Sequence, residues 1–127
     1  TRSLLAGAGN DDVRGGFNPG TTTAYLGDGN DEISASGVVA VRAYGEAGND
    51  TLIGGSQSDF LYGGTGNDYL EGESGTDHMF GESGNDTFYA LAGSLPELDY
   101  VSGGIGSEKA TIDKADYAWD VEHITAV

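Results

Sequence analysis

The sequence predicts an all-β fold made by stacking short, near-identical turn-and-strand units. Three observations predict it. A nine-residue period runs through the middle of the chain. Each period carries one large apolar residue between two outward-facing positions, the alternation of a strand. The composition sets 23 Gly and 21 Asp plus Glu against five Lys plus Arg. The chain has 127 residues, about one domain's length. Its formal charge is −16, and Leu, Ile, Val and Phe number 25. So acidic and apolar-poor a chain buries too little surface to offset its own entropy unaided. Cysteine is absent, which removes disulfides and thiolate metal sites. The acidic charge argues against nucleic acid or an anionic membrane surface as partner, since both need clustered Lys and Arg. No apolar run approaches the roughly 20 residues of a membrane span. With no visible signal peptide and no initiating Met, the chain reads as an excised or processed piece. The stabiliser that remains is a bound cation.

Taken in order, the units begin loosely with AGAGNDDVR from Ala6 and LGDGNDEIS from Leu26. Five consecutive nonapeptides follow from Gly45 to Tyr89: GEAGNDTLI, GGSQSDFLY, GGTGNDYLE, GESGTDHMF and GESGNDTFY. GGIGSEKAT from Gly103 comes last, with Glu108 where Asp stands elsewhere. Position six holds Asp11, Asp31, Asp50, Asp59, Asp68, Asp77 and Asp86, and position eight holds Val13, Ile33, Leu52, Leu61, Leu70, Met79 and Phe88. Glycine at positions one, two and four permits positive φ and leaves carbonyls unobstructed. Ca²⁺ is a hard cation that takes six to eight oxygens, so carbonyl-rich loops with one carboxylate each suit it. One apolar residue per repeat makes a thin core, so the metal carries much of the folding free energy. An EF-hand is excluded, because Ile33 occupies the loop position after Asp28 that requires Gly.

These nonapeptides resemble the RTX (repeats-in-toxin) repeat, GGxGxDxUx with U a bulky apolar residue. The resemblance implies a right-handed parallel β-roll, a β-solenoid of two short-strand sheets with Ca²⁺ between stacked turns. Six residues form the turn, three form the strand, and two repeats make a coil. The roll is expected over residues 1–111, regular over 45–89, with insertions near 15–25, 35–44 and 90–102. Residues 112–127 lose the period and are expected to cap the roll, with Trp119, Val121 and Ile124 folded over the last coil.

On that arrangement alternate loops fall on opposite edges. The first edge collects Asp11, Asp31, Asp50, Asp68, Asp86 and Glu108, with spacings of 20, 19, 18, 18 and 22. The second collects Asp59 and Asp77, with Asp99 after an insertion. Asp99 and Glu108 are the less regular members. The resemblance further implies carbonyl ligands from positions two and four of one loop and one and three of the loop a coil later. On the first edge these are Gly7, Gly9, Leu26, Gly27, Asp28, Gly29, Gly45, Glu46, Ala47, Gly48, Gly63, Gly64, Thr65, Gly66, Gly81 and Ser83. On the second they are Gly55, Gln57, Gly72 and Ser74. Pairing loops gives about four to seven ions. Six of them would bring the formal charge from −16 to about −4. Without calcium the stacked aspartates lack a counter-charge, and the chain is expected to be disordered.

One outer face is aromatic. Tyr25, Tyr44, Tyr62 and Phe80 line up in one outward column, with Arg42, Phe60, His78 and Tyr100 beside it. Such ladders stabilise sheets, dock a neighbouring domain, or stack on sugars, where Arg42 and His78 suit an acidic polysaccharide. Catalysis is not supported: no HExxH, GxSxG or P-loop pattern occurs, and His78 and His123 read as surface residues. The resemblance implies a secreted, calcium-folded module exported by type I secretion. A polysaccharide-binding module of an extracellular enzyme or adhesin is the alternative. The repeat region of a toxin, protease or lipase whose active part lies elsewhere is a third reading.

Overall fold

A computed structural model describes residues 2–14, 22–35, 40–91, 97–113 and 115–127. The bulk of the three expected insertions, at 15–21, 36–39 and 92–96, lies outside the described residues. The strands follow the repeats. In chain order they are β1 (Arg2–Ala8), β2 (Asp12–Arg14), β3 (Thr22–Asp28), β4 (Glu32–Ser34), β5 (Val41–Ala47), β6 (Thr51–Ile53) and β7 (Phe60–Thr65). Then come β8 (Tyr69–Glu71), β9 (His78–Ser83), β10 (Thr87–Ala90), β11 (Tyr100–Ile105), β12 (Lys109–Ile112), β13 (Tyr117–Trp119) and β14 (His123–Ala126). Odd-numbered strands form one seven-stranded sheet and even-numbered strands the other. Every pairing is parallel, as stacking of equivalent segments demands. The molecule is an all-β parallel roll, and no helix occurs among the described residues.

The core lies between the sheets and is one side chain deep. Position-eight residues Ile33, Leu52, Leu61, Leu70, Met79 and Phe88 are fully buried, whereas Val13 is half-buried in the first coil. Register carries the inward row onto Ala24 and Ala43 beside Leu61, and onto Val101 and Ala110 later. Leu26 and Val41 add bulk where those alanines leave the core thin.

The tail stacks on the last repeat coil. It forms a further coil in register, with β13 against β11 and β14 against β12. Strand alternation puts Ala118 inward, opposite Val101, and therefore Trp119 outward, opposite Ser102. Trp119 is 43% exposed, so its expected place over the core is corrected. Ile124 stacks on Ala110 and is half-exposed, while Val121 packs against the core edge.

The turns depend on glycine where coils touch. Gly66 has φ +113°, and a Cβ there would collide with the carbonyl oxygen of Gly48 in the preceding coil. Gly9 has the same φ of +113° but nothing within 4 Å of a Cβ. Gly9→Ala is expected to cost about 1–2 kcal/mol for the backbone alone. Gly66→Ala should exceed it by roughly 1–3 kcal/mol of overpacking, measured by thermal unfolding in calcium.

Candidate metal centre

Two hydrogen-bond ladders run along the first edge in opposite directions. The backbone N–H of each aspartate donates to Oδ1 of the aspartate one coil later. Asp11 donates to Asp31 at 2.7 Å, Asp31 to Asp50 at 2.8 Å, Asp50 to Asp68 at 2.8 Å and Asp68 to Asp86 at 2.9 Å. The neighbouring position-five residues reverse this sense. Asn30, Asn49, Asn67, Asn85 and Ser107 each donate a backbone N–H to the side-chain oxygen of the Asn one coil earlier, at 2.8–3.0 Å. The nonapeptide reading assigned no role to these asparagines, although they recur with the aspartates.

Each ladder carboxylate leaves one oxygen over. Asp31, Asp50, Asp68 and Asp86 are at most 2% exposed, and their Oδ2 atoms have no hydrogen-bond partner. Asp77 and Asp99 on the second edge share this state, and Glu108 has neither oxygen partnered. Ion pairs do not compensate: those found among the described residues are Arg14 with Asp12 and Glu32, all on the surface. Burying so many unpaired carboxylates is prohibitive without a counter-charge.

The surrounding backbone is arranged around those orphan oxygens. A Cβ on Gly45, Gly54, Gly63, Gly72 or Gly81 would collide with Oδ2 of that loop's own aspartate. At Gly54, Gly63 and Gly81 it would also crowd the carbonyl of the first loop residue one coil on, at 2.7–2.9 Å. The carbonyls of Gly7, Gly9, Gly29, Glu46, Gly48, Gly66 and Gln57 point at loop glycines of the next coil, where a Cβ would collide with them. No three His, Cys, Asp or Glu side chains converge among the described residues, so a cation here draws most of its ligands from carbonyls.

The chain matches the RTX calcium-binding nonapeptide repeat, in four copies, over residues 3–21, 44–79 and 62–94. It belongs to that family. No curated protein and no solved structure matches it. RTX repeats bind calcium and are non-catalytic. The donor set fits: hard oxygens from carboxylates and carbonyls, buried and without a protein cation.

Several carbonyls expected as ligands already serve the fold. Those of Asp28, Ala47, Thr65 and Ser83 each accept a backbone N–H from the preceding coil at 2.8–3.1 Å, and a second lone pair remains on each. Gly27 and Gly64 lie in register against Gly7 and Glu46, whose carbonyl oxygens a Cβ on either would strike. Leu26 fills the first loop position that Gly holds in the regular repeats, and it is buried in the core.

The second edge is less uniform. Val41 donates to Asp59 Oδ1 at 2.7 Å, Asp59 to Asp77 at 2.8 Å and Asp77 to Asp99 at 2.8 Å. Val41 and Thr22 stand in the aspartate register of β5 and β3, so acidic rungs begin only at Asp59. The loop from Gly54 to Asp59 departs from the others. Its Gly55 does not take the positive φ of Gly64 or Glu46, and its N–H instead donates to Asp59 Oδ2 at 2.6 Å. Gln57 at position four explains this, because that place elsewhere requires glycine at positive φ. Ser74 donates to the Gly55 carbonyl at 3.0 Å. Two rungs were missed in the sequence: Asp116 accepts from Asp99 N–H at 2.9 Å, and Glu122 accepts from Glu108 N–H at 2.9 Å. Their offsets of 17 and 14 residues break the period, although Asp116 does precede a strand, as Asp99 does.

On the odd-stranded sheet the outward aromatics stack. Tyr25, Tyr44, Tyr62 and Phe80 follow one another at 4.7–4.9 Å with planes within 9° of parallel. Phe60, His78 and Tyr100 do so at 4.6–4.7 Å, and Tyr117 continues the column at 5.8 Å. The Arg42 guanidinium lies 5.2 Å from the Phe60 ring centre. Burial lowers the His78 pKa, favouring the neutral ring in the stack.

With no cation bound, burial pushes the carboxyls upward against the backbone hydrogen bonds that lower them. Asp50 and Asp59 rise to about 6, Asp68 and Asp99 to about 7, and Asp77 to about 8. Asp86 rises too, and Glu108 reaches about 7, with Glu122 adding to the effect of burial. A folded pKa above the unfolded value of 3.8 means stability present in acid and lost as pH climbs through the folded value. Metal-stripped protein should therefore hold more β structure near pH 4.5 than near pH 8, read by circular dichroism. With calcium present, protons compete for the same oxygens, so the calcium midpoint should rise as pH falls from about 8 to about 6.

Proposed function

We propose that this RTX calcium-binding module is a folding switch in a secreted protein, exported unfolded through type I secretion and ordered by extracellular calcium. The observation that carries the reading is the row of buried, unpartnered carboxylate oxygens facing backbone carbonyls of the next coil. The ligands we assign are the pairs Asp11–Asp31, Asp31–Asp50, Asp50–Asp68, Asp68–Asp86 and Asp86–Glu108 on the first edge. Asp59–Asp77 and Asp77–Asp99 serve the second. Carbonyls at positions one to four of the paired loops complete each shell, for about four to seven ions. The module would stabilise or present the larger protein that carries it.

In this mechanism calcium supplies only positive charge and a demand for oxygen ligands. The chain does the rest. Aspartate Oδ1 fixes the register by accepting from the coil before it, and the glycines leave the carbonyls room to turn inward. Calcium addition to metal-free protein should produce a cooperative gain of β-sheet circular dichroism; equal β content in chelator and in calcium sinks the reading. Asp68→Asn keeps the rung to Asp50 while removing a charge shared by two sites. It should shift the midpoint upward about tenfold, or ~1.4 kcal/mol.

The aromatic face is better read as a stabilising ladder than as a polysaccharide platform. Sugars stack on ring faces, and in this column both faces of Tyr44 and Tyr62 are covered by neighbouring rings. Replacing Tyr44 and Tyr62 with Ala should cost about 0.5–1.5 kcal/mol per stacked pair lost. Retention on acidic polysaccharide columns should not change; a selective loss of retention in the folded variant would restore the sugar reading.

A further inference from the structure

We propose that the last coil, beyond the residues matched to the repeat family, completes an additional cation site on the first edge, built from Glu108, Glu122 and the backbone carbonyl of Asp120. The proposal rests on the calcium reading above and extends it to a segment without a nonapeptide signature.

Glu108 is fully buried, and both of its carboxylate oxygens lack hydrogen-bond partners. Its own N–H donates to Glu122 Oε2 at 2.9 Å, the same rung that joins successive aspartates. From the end of β13 to its acidic rung the final loop has three residues, Asp120 to Glu122, where the regular nonapeptide turns have six. Asp120 nevertheless takes the first loop position. Its φ is +53°, and its carbonyl oxygen would collide with a Cβ on Gly103. That same Cβ would lie 2.9 Å from Glu108 Oε2. The Asp120 carbonyl and the Glu108 carboxylate therefore meet beside Gly103, as Asp86 Oδ2 and the Gly103 carbonyl meet beside Gly81 one coil earlier.

Glutamate is the residue this loop needs. Glu108 Oε1 would collide with a Cβ on Gly106, so its carboxylate reaches both Gly103 and Gly106 across the loop. Each regular aspartate brings one oxygen to its first loop glycine. The extra methylene lets one residue supply two oxygens where the shortened partner loop has lost carbonyls. Two carboxylates and a carbonyl, all hard oxygen donors, select a divalent cation of the calcium class.

The chain has a single tryptophan, Trp119, adjacent to Asp120, which makes a local donor for a luminescent ion. The full chain is loaded with Tb³⁺ alone and excited selectively at the indole, and bound Ca²⁺ is counted separately by equilibrium dialysis. Wild type should give indole-sensitised terbium emission that excess Ca²⁺ quenches. Glu122→Gln, an exposed position at the end of the stack, should sharply reduce that emission and lower the stoichiometry by one Ca²⁺ per chain. Calcium-induced β-sheet circular dichroism should persist. Glu108→Gln should also reduce the emission, with a loss of up to two Ca²⁺ because Glu108 serves the Asp86–Glu108 pair too; if it fails to fold, Glu122→Gln alone decides. Unchanged emission and stoichiometry in Glu122→Gln overturn the terminal site. Wild type that folds in calcium but gives no indole-sensitised emission also overturns it, leaving the repeat sites intact. Wild type that neither binds calcium nor gains β structure overturns the broader reading as well.

Discussion

Buried carboxylates with no protein cation beside them are the constraint on which the roll depends. A side chain such as Asp68 is 2% exposed and still carries an oxygen without a partner. In a folded domain of ordinary composition this would be a fault. Here it recurs at every regular turn but that of Asp59, so the fold is incomplete without an external positive charge. The thin core points the same way, since one row of Leu, Ile, Met and Phe between two sheets is little to hold a chain of charge −16 together. The unbalanced composition and the unpartnered oxygens are one property at two scales.

The ladders explain why the turns superpose so regularly. One oxygen of each carboxylate is spent on register, and the other is left for a ligand. The asparagine ladder beside it runs the opposite way, so each first-edge turn is held by its neighbours on both sides. Slipping a coil by one residue would break both ladders and expose the position-eight side chains. Glycine is required where carbonyls of one coil press on the next, but not uniformly: Glu46, Glu73 and Glu82 accept positive φ where glycine stands in other repeats. At those places the turn geometry outweighs local backbone preference.

Much of this was legible in the sequence, because a strict period ties residue type to position. The inward row from Ile33 to Phe88, the two edges and the aromatic columns all follow from counting in nines. What was illegible lies where the count fails. Asp116 and Glu122 occupy rung positions reached by shorter loops, and the strand between them turns a small Ala118 inward instead of a bulky residue. Trp119 looked like a lid because it is large and apolar, yet alternation with Ala118 sends it outward. The loop from Gly54 to Asp59 matched in its glycines and its aspartate, but Gln57 at a place that needs positive φ gave it another shape.

The two edges also differ along the length of the roll. Aspartate rungs run on the first edge from Asp11 onward, but on the second edge Thr22 and Val41 stand in their register before Asp59. The early coils are thus stitched by carboxylates along one seam and the later coils along two. Under tension along its axis such a roll has a weak end and a strong end. Coils would peel from the N-terminal side first, where one seam lacks acidic rungs, while the coils with rungs on both seams hold. The fold has a mechanical grain that its nearly repetitive sequence conceals.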